Sequence, residues 1–415
     1  MKKRSIAVID LKAFYAFVEC VDRGLDPFTT PLVVCDKDRG KNTIILSVSP
    51  YLKNEGIPSR LRFKELPKKY DYIYAVPRME RYLKRSNEVM RCINKFVSAN
   101  DIHIYSIDEA FIDLSSYLSF YKLSAKDLVK KILDKIRQDL GLFATAGIGE
   151  NMFLAKVALD IYAKHEKDGI ATLAKEEIET KLWPITPLSK MWGIGQRLEA
   201  RLNALDIFTV GDLARSNKQF LISTFGIMGE QLYEHANGND EADMHEIYIP
   251  NNPSLSLGQV LNKDYTYEEA KLIIYELIDD LTIRLRKINA VTSNAFLFVG
   301  YSKEGGFAKQ ISLNLATDNE QKLKQIIETL YLKNVDKTKM IRRLSVGFSS
   351  LTTYGKNQQL SLFENIEESE KIRSLSLALD SIKEKYGKNS CLYASSLLDF
   401  STAKERHSFI GGHKR

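Results

Sequence analysis

The chain has 415 residues, a net charge of +7 and a pI of about 8.9, so it has room for about two to four domains and permits a polyanionic partner. Its four cysteines are scattered without a Cys-x-x-Cys pair, which argues against a zinc knuckle or a disulfide framework and favours a reducing compartment. No stretch approaches about 18 apolar residues, and Asp10 interrupts the first apolar run too early for a signal peptide, so we expect a cytoplasmic protein without membrane contact.

The N-terminal part of the chain alternates strand and helix patterns. An apolar strand, residues 5–9, ends at Asp10 and is followed by a helical pattern. Further along, a helix at 124–140 precedes a strand at 143–149. Because two apolar β-type runs around Asp108 are close enough to pair as a hairpin, the sequence predicts an α+β domain.

The rest of the chain changes character three times. Residues 185–238 show helical patterns that are separated by glycines. The acidic, Pro- and Asn-containing stretch 239–253 is typical of a linker. Residues 253–355 then follow the order β-α-β-β-α-β, which is that of a ferredoxin-like unit. From residue 356 the chain is polar, apart from one apolar island, QLSLF, and it ends in a basic segment.

Two adjacent carboxylates interrupt the apolar stretch DIHIYSIDEAFIDL, residues 101–114. Neighbouring side chains on a strand point to opposite faces, so Asp108 and Glu109 share a target only at a turn or a strand end. A lone Asp-Glu pair is more often a solvated hairpin turn, but glutamate suits tight turns poorly, and Asp10 ends another apolar strand. Three carboxylates at one sheet edge repel each other unless hard cations such as Mg²⁺ neutralise them.

Four motifs resemble the Y-family translesion DNA polymerases in their order and spacing: VIDLKAFYAFVEC, YSIDEAFIDL, ATAGIGENMFLAKVALDIYAK and MWGIGQRLEARL. The resemblance is to the UmuC/MucB-like branch of Gram-positive bacteria and covers roughly residues 5–355. It implies a template-directed DNA polymerase of low fidelity that performs translesion synthesis in DNA repair and the SOS response. A catalytically weak DNA- and clamp-binding regulatory factor is the alternative, and the intact acids favour the enzyme.

The resemblance also implies a right-hand-like architecture with palm, small fingers, a helical thumb with a helix-hairpin-helix, and a ferredoxin-like little finger. The implied boundaries are 1–25 and 76–165 for the palm, 26–75 for the fingers, 166–238 for the thumb, 239–252 for a linker, 253–355 for the little finger and 356–415 for a tail with a clamp-binding motif.

The same resemblance assigns the acids. Asp10, Asp108 and Glu109 match the catalytic, metal-binding acids, with the backbone carbonyl of Leu11 as a further ligand, and together they imply two Mg²⁺ ions. Many family members carry a second acid or an asparagine where this chain has Lys12, which we do not expect to bind metal.

Residues that contact the incoming nucleotide follow from the resemblance as well. Tyr15 matches the aromatic residue whose ring, beneath the sugar, leaves no room for a 2′-hydroxyl, whereas Phe14 and Phe17 are expected in the core. The residues assigned to the triphosphate are Ser49, Tyr51, Lys53 and Lys156. An exposed structural lysine is the alternative for Lys156, and the arginine expected with Lys53 is absent from the segment LSVSPYLKNEGI.

The predicted partners are primer–template DNA, dNTPs and the β sliding clamp. Three further features of the sequence indicate them, namely a glycine turn, basic residues of the little finger and a motif in the tail. Gly193 and Gly195 fit a helix-hairpin-helix turn whose backbone amides approach a DNA phosphate, or a packing element. Basic residues of the little finger are expected along the DNA backbone, although some will be solvated surface: Lys309, Arg342 and Arg343.

The tail motif resembles the short peptide by which bacterial polymerases bind the clamp, with the alternative that it folds onto its own domain. Its residues are Gln359, Leu360, Leu362 and Phe363. A UmuD-like subunit or a recombinase filament is a further candidate partner.

Overall fold

The computed structural model describes residues 4–246, 249–355 and 366–414. The chain divides into two compact units, residues 1–247 and 248–415. The four predicted clamp-binding residues lie outside the described residues: Gln359, Leu360, Leu362 and Phe363. In the described part of the chain, no helix has the length and apolar character that a membrane span requires.

The first unit alternates strands with helices. Its strands are β1 (Ile6–Leu11), β2 (Leu32–Val34), β3 (Ser47–Val48), β4 (Ile73–Ala75), β5 (Ile102–Ile104), β6 (Glu109–Asp113), β7 (Ala144–Gly149) and β8 (Ile170–Leu173). Its helices are α1 (Phe14–Asp22), α2 (Pro50–Asn54), α3 (Met79–Ile93), α4 (Tyr117–Tyr121), α5 (Ala125–Leu140), α6 (Met152–Val157), α7 (Gln196–Asn203), α8 (Val210–Arg215), α9 (Lys218–Phe225) and α10 (Ile227–Ala236).

A five-stranded sheet in the order β5-β6-β1-β7-β8 forms the centre of this unit. β1 lies in the middle and is antiparallel to both β6 and β7. The predicted hairpin around Asp108 is confirmed, because β5 and β6 pair antiparallel. A second, three-stranded sheet has the order β3-β2-β4.

Two glycines of β7 allow α6 to pack directly on the central sheet. A Cβ atom at Gly147 would lie 2.1 Å from the carbonyl oxygen of Ala155, and one at Gly149 would lie 2.5 Å from the backbone nitrogen of the same residue. Because real Cβ atoms do not approach backbone so closely, only glycine permits this helix–sheet distance. The close packing brings Lys156 of α6 over the strands that carry the acids.

The helices after residue 185 share the core of the sheet domain. Leu202 of α7, Leu213 of α8 and Leu232 of α10 belong to the same buried cluster as Phe111 of β6 and Phe153 of α6. These helices are therefore attached to the sheet that carries the candidate site by a continuous apolar core.

The second unit contains the predicted β-α-β-β-α-β order. Its elements are β9 (Leu255–Tyr265), α11 (Tyr267–Lys287), β10 (Ala290–Tyr301), β11 (Gly306–Thr317), α12 (Glu320–Asn334), β12 (Ile341–Thr353), α13 (Ile366–Tyr386), α14 (Ala403–His407), β13 (Phe409–Ile410) and β14 (His413–Lys414).

The four-stranded sheet of this unit has the order β11-β10-β12-β9, and all neighbouring strands are antiparallel. β9 and β10 are therefore parallel to each other with β12 between them, and β11 and β12 are parallel with β10 between them. Each βαβ connection is thus split by one inserted strand, as the predicted β-α-β-β-α-β order requires, and the first and third strands of the unit lie at the edges of the sheet.

The basic C-terminal segment is part of the second unit rather than a free tail. Arg406 bridges two buried acids of α11: its Nη1 lies 3.3 Å from Glu276 Oε2, and its Nε lies 2.9 Å from Asp280 Oδ2. His407 Nε2 also lies 3.0 Å from Asp280 Oδ1. The network anchors α14 against α11, a contact that spans more than a hundred residues of chain.

We expect Arg406→Ala to destabilise the second unit by about 3–5 kcal/mol, because it leaves two buried carboxylates without their main cationic partner. Chemical denaturation followed by circular dichroism measures this change, with Lys404→Ala, an exposed neighbour on α14, as the control. An equal effect of both substitutions would contradict the assigned role of Arg406.

The same network gives stability a pH dependence. Burial opposes the charge of Asp280, but the hydrogen bond from His407 and the charge of Arg406 outweigh it and hold the pKa of Asp280 below its usual range. A carboxylate with a depressed pKa stabilises the folded state above its unfolded pKa, and this contribution is lost as the pH falls through the folded value. The stability difference between wild type and Arg406→Ala should therefore shrink in acid.

Candidate active site at the end of the central strand

The antiparallel register of the central sheet brings the predicted acids together. Asp10, near the end of β1, is the direct cross-strand partner of Glu109, at the start of β6. The backbone N–H of Leu11 donates to the carbonyl of Asp108 at 2.9 Å, which closes the same end of the strand pair. Because directly paired residues present their side chains on one face, Asp10 and Glu109 share a face, with Asp108 beside them in the loop.

Negative charge is crowded at this edge. Burial raises the pKa of Asp10 to about 7, and the charges of Asp108 and Glu109 add to the effect, whereas Lys156 and Lys164 oppose it. Burial also raises the pKa of Glu109, although its hydrogen bond with Lys156 offsets part of the rise. A nearby cation relieves such a cluster, so the electrostatics fit a cation-binding function.

Lys156 is a buried partner of the acids, not an exposed lysine. Its side chain is only 10% exposed, and its Nζ lies 2.6 Å from Glu109 Oε1 and 3.3 Å from Asp160 Oδ2. The alternative of an exposed structural lysine is therefore wrong. In this arrangement the ammonium group neutralises Glu109, and a contact with a triphosphate requires it to turn away from that carboxylate.

The donor atoms fit a hard divalent cation, but the carboxylates are not yet assembled around one point. Carboxylate and carbonyl oxygens are the ligands that Mg²⁺ prefers. Within residues 4–246, 249–355 and 366–414, no three acidic, His or Cys side chains are close enough to hold an ion as they stand. Asp108 Oδ1 instead accepts a hydrogen bond from Ser106 Oγ at 2.8 Å, and Glu109 faces Lys156.

Tyr15 lies beside the acids on the first turn of α1. Its half-buried ring packs against Phe14 at 5.6 Å and against Tyr82 at 4.9 Å between centroids. Burial raises the pKa of Tyr15, and the charge of Asp108 raises it further while Arg60 lowers it, which places the phenol within reach of both charges. Phe14 and Phe17 are fully buried, as predicted for core residues.

Two of the predicted triphosphate residues come from the segment around α2. Partial burial lowers the pKa of Lys53, while the charges of Asp10 and Asp108 raise it, so this lysine lies within electrostatic range of the acids. Tyr51 is half-buried, with its ring 6.2 Å from that of Tyr70 in an edge-to-face contact. Their assignment to the nucleotide remains a prediction.

The geometry contradicts the assignment of Ser49 to the triphosphate. Ser49 is fully buried, and its hydroxyl donates to the carbonyl of Thr30 at 2.7 Å. The same oxygen accepts from the backbone N–H of Leu52 at 3.4 Å, so Ser49 is the N-cap of α2. A serine directly before a proline at the first helical position is a recognisable cap, and that signal was available in the sequence.

Sequence reasoning missed two cations near the acids, Arg60 and Lys164. The charge of Arg60 lowers the pKa of Tyr15. Arg60 has a positive φ of 69°, which a pattern of residue types does not reveal. The charge of Lys164 lowers the pKa of Asp10 and of Lys53. Its spacing of eight residues from Lys156 on a helical segment was the available signal.

The turn before α7 has open space around its two glycines. Gly193 has a φ of 89°, and Gly195 is the N-cap of α7 without a side-chain cap. Within the described chain, no atom lies within 4 Å of a Cβ built at either glycine. The backbone of this turn can thus be approached closely by a ligand.

The predicted basic residues of the second unit do not form one surface. Arg343 pairs with Gly300 and is exposed on the face opposite the helices, because the next residue, Leu344, is buried beneath them. Lys309 pairs with Leu297, which is buried on the helix side, so it lies on the other face. Arg342 Nη1 lies 3.2 Å from Asp264 Oδ1. Lys309 and Arg343 therefore project from opposite faces of the sheet, and their contacts with the DNA backbone stay a prediction.

The chain matches known proteins over most of its length. The impB/mucB/samB family model matches residues 9–160, its helix-hairpin-helix motif matches 175–207, and its C-terminal domain matches 252–362. The chain is 36% identical to UvrX of Bacillus subtilis (strain 168), named as a UV-damage repair protein, over 99% of this chain and 98% of UvrX. It is 30% identical to DNA polymerase IV 2 of the same organism, over 100% of this chain and 99% of that protein.

A solved structure shows the same fold. A chimera of the Y-family DNA polymerases Dbh and Dpo4 superposes with a TM-score of 0.67 at 20% identity, covering 84% of this chain and 99% of the chimera. Taken with the family models that match most of the sequence, this likeness confirms the predicted α+β, right-hand-like fold. The chain therefore belongs to the impB/mucB/samB family of Y-family DNA polymerases.

Proposed function

We propose that this protein is a template-directed DNA polymerase of low fidelity that performs translesion synthesis in DNA repair and the SOS response. The observation that carries the proposal is the register of β1 and β6, which pairs Asp10 with Glu109 at the edge where Tyr15 and Asp108 also lie. Family membership and the relatives named as DNA polymerase IV support it. A cytoplasmic location, with access to DNA and dNTPs, is part of the same proposal.

Asp10, Asp108 and Glu109, with the backbone carbonyl of Leu11, would hold two Mg²⁺ ions. When bound, such ions lower the pKa of the primer 3′-hydroxyl and stabilise the charge of the departing pyrophosphate. The protein itself does little covalent chemistry in nucleotidyl transfer, so its contribution is to fix these oxygens beside the nucleotide. The crowded negative charge at Asp10 supports this role.

The basic residues around the acids would bind the triphosphate. Lys156 would exchange its contact with Glu109 for the nucleotide when cations neutralise that carboxylate. Lys53 and Tyr51 complete the group, and Arg60 and Lys164 extend it. Tyr15 would exclude ribonucleotides, because its ring is supported on one side by Tyr82 and cannot retreat freely from a 2′-hydroxyl.

In this proposal the predicted domains keep their boundaries. Residues 1–25 and 76–165 form the palm, 26–75 the fingers and 166–238 the thumb, and 253–355 form the little finger after a linker at 239–252. The open turn at Gly193 and Gly195 would contact the DNA backbone without reading sequence. Arg343 and its neighbour Arg342 would add phosphate contacts, whose strength falls steeply with salt.

The tail motif is proposed to recruit the β sliding clamp. In the motif of Gln359, Leu360, Leu362 and Phe363, the glutamine would form a hydrogen bond at the rim, and Leu362 and Phe363 would fill an apolar pocket, as an extended peptide does in a groove. The motif follows β12, the last strand of the four-stranded sheet, and this position supports the proposal of clamp binding. A UmuD-like subunit or a recombinase filament is proposed as a further partner.

Primer extension past damage tests the proposed function. With Mg²⁺, dNTPs and a template containing one abasic site or one pyrimidine photodimer, we expect the full chain to insert a nucleotide opposite at least one lesion. The same reactions with a replicative polymerase serve as the control and should stop at the lesion. If undamaged templates are extended but synthesis stops at both lesions, the protein is a DNA polymerase that does not perform translesion synthesis. No extension on any template would favour the alternative of a regulatory factor.

A further inference from the structure

Trp192, directly before the open glycine turn, contacts the hairpin that carries the acids. Its indole Nε1 donates to the hydroxyl of Tyr105 at 3.2 Å. Its ring centroid lies 6.0 Å from that of Tyr105, in an edge-to-face contact, and 6.1 Å from that of Phe111. One side chain thus connects the turn at Gly193 to the loop between β5 and β6.

Tyr105 is the first residue of that loop and belongs to its hydrogen-bond network. Its backbone N–H and that of Ser106 both donate to the carbonyl of Glu109 at 3.0 Å. Ser106 Oγ in turn donates to Asp108 Oδ1 at 2.8 Å. A displacement of Tyr105 therefore moves Ser106 and, through it, the carboxylate of Asp108 relative to Glu109.

The indole of Trp192 also stacks with a second pair of rings. The ring of His235 on α10 lies parallel to the indole at 6.5 Å and parallel to the ring of Phe153 at 4.4 Å. Phe153 belongs to α6, the helix that also carries Lys156. The indole therefore neighbours both this stack and the hairpin that carries the acids.

We propose that Trp192 is a positioning residue that keeps the acidic hairpin in its productive shape when the glycine turn holds DNA. The inference rests on the proposed polymerase function and deepens it. Contact of the DNA backbone with Gly193 and Gly195 fixes the adjoining indole, the indole fixes Tyr105, and Tyr105 fixes Asp108. Displacements of about 1 Å at reacting groups are enough to cost about a hundredfold in rate, so a small restraint on this loop has a measurable effect.

Single-turnover incorporation of one dNTP into a primer–template, with Mg²⁺ titrated, tests the role of Trp192. Trp192→Phe keeps an aromatic ring but cannot donate to Tyr105. Loss of one such hydrogen bond corresponds to about a 3- to 10-fold change. We expect the maximal rate to fall by that factor and the half-maximal Mg²⁺ concentration to rise, with the DNA dissociation constant unchanged.

The other tryptophan of the chain, Trp183, is a matched control. Trp183 packs against the same core, and its Nε1 donates to the carbonyl of Ala236 at 3.1 Å, without a contact to Tyr105. Trp183→Phe should leave the rate and the Mg²⁺ dependence unchanged, even where it lowers the melting temperature as much as Trp192→Phe does. Equal kinetic effects of the two substitutions would overturn the proposal.

A double-mutant cycle with Tyr105→Phe separates positioning from general damage. Because both substitutions remove the same hydrogen bond, the double variant should be no slower than the slower single variant. Multiplicative losses, or a Trp192→Phe protein with wild-type kinetics, would overturn the proposal. If the wild type and all variants fail to incorporate nucleotide, the proposed function itself fails, and that outcome is distinct from a wild-type enzyme that does not depend on Trp192.

Discussion

Replacement of Asp10 by asparagine is expected to lower primer extension by at least about 10³-fold and to raise the melting temperature by about 2–4 °C. The carboxylate is partly buried beside two like charges, so its removal relieves repulsion in the folded protein. The same charge is the reason that the site would bind Mg²⁺. Activity and stability should therefore change in opposite directions, as at other electrostatically strained sites.

Asp113→Asn is the matched control for this prediction. Asp113 ends β6 at the opposite end of the same strand pair and is the cross-strand partner of Ile6. Its Oδ1 accepts from the backbone N–H of Ser115 at 2.8 Å, so it has a local structural role. Extension should survive Asp113→Asn. A fall in melting temperature for Asp10→Asn, or retained extension, would contradict the role given to Asp10.

Replacement of Tyr15 by alanine is expected to reduce discrimination between dNTPs and rNTPs by roughly 10²-fold. The ring packs between Phe14 and Tyr82 next to Asp108, so it forms a wall that alanine removes. The effect should appear as higher kcat/KM for the rNTP, with a smaller change for the dNTP. Steady-state incorporation of dCTP and rCTP opposite a template guanine measures it.

Tyr15→Phe provides the control, because it retains the ring and removes only the hydroxyl. This variant should discriminate between the sugars about as well as the wild type does. Loss of discrimination in Tyr15→Phe would show that the hydroxyl acts by itself, whereas unchanged discrimination in Tyr15→Ala would contradict the assignment of Tyr15 altogether.

Strand alternation and strand ends made the acidic edge predictable. The apolar run before Asp10 and the broken run around Asp108 and Glu109 place polar groups at the ends of buried strands, and the sheet brings them together. The order of elements in the second unit was equally visible, because its helices and strands follow regular apolar periods. Those features depend on local sequence.

Contacts between distant residues were not predictable in the same way. The pairing of Lys156 with Glu109 depends on a side-chain conformation on α6, and Arg406 contacts Glu276 across 130 residues of sequence. The faces of Lys309 and Arg343 depend on the register of β10 with its two neighbours, which includes irregular pairings. Composition and periodicity carry no information on such registers.

The most direct measurement of the central claim is single-nucleotide incorporation by wild type and by Asp108→Ala, with each dNTP opposite each template base in the presence of Mg²⁺. We expect the wild type to favour the complementary nucleotide with modest selectivity and Asp108→Ala to incorporate none, while both bind the primer–template equally. Incorporation that ignores the template base, or that persists in Asp108→Ala, would contradict the claim that this acidic edge catalyses template-directed DNA synthesis.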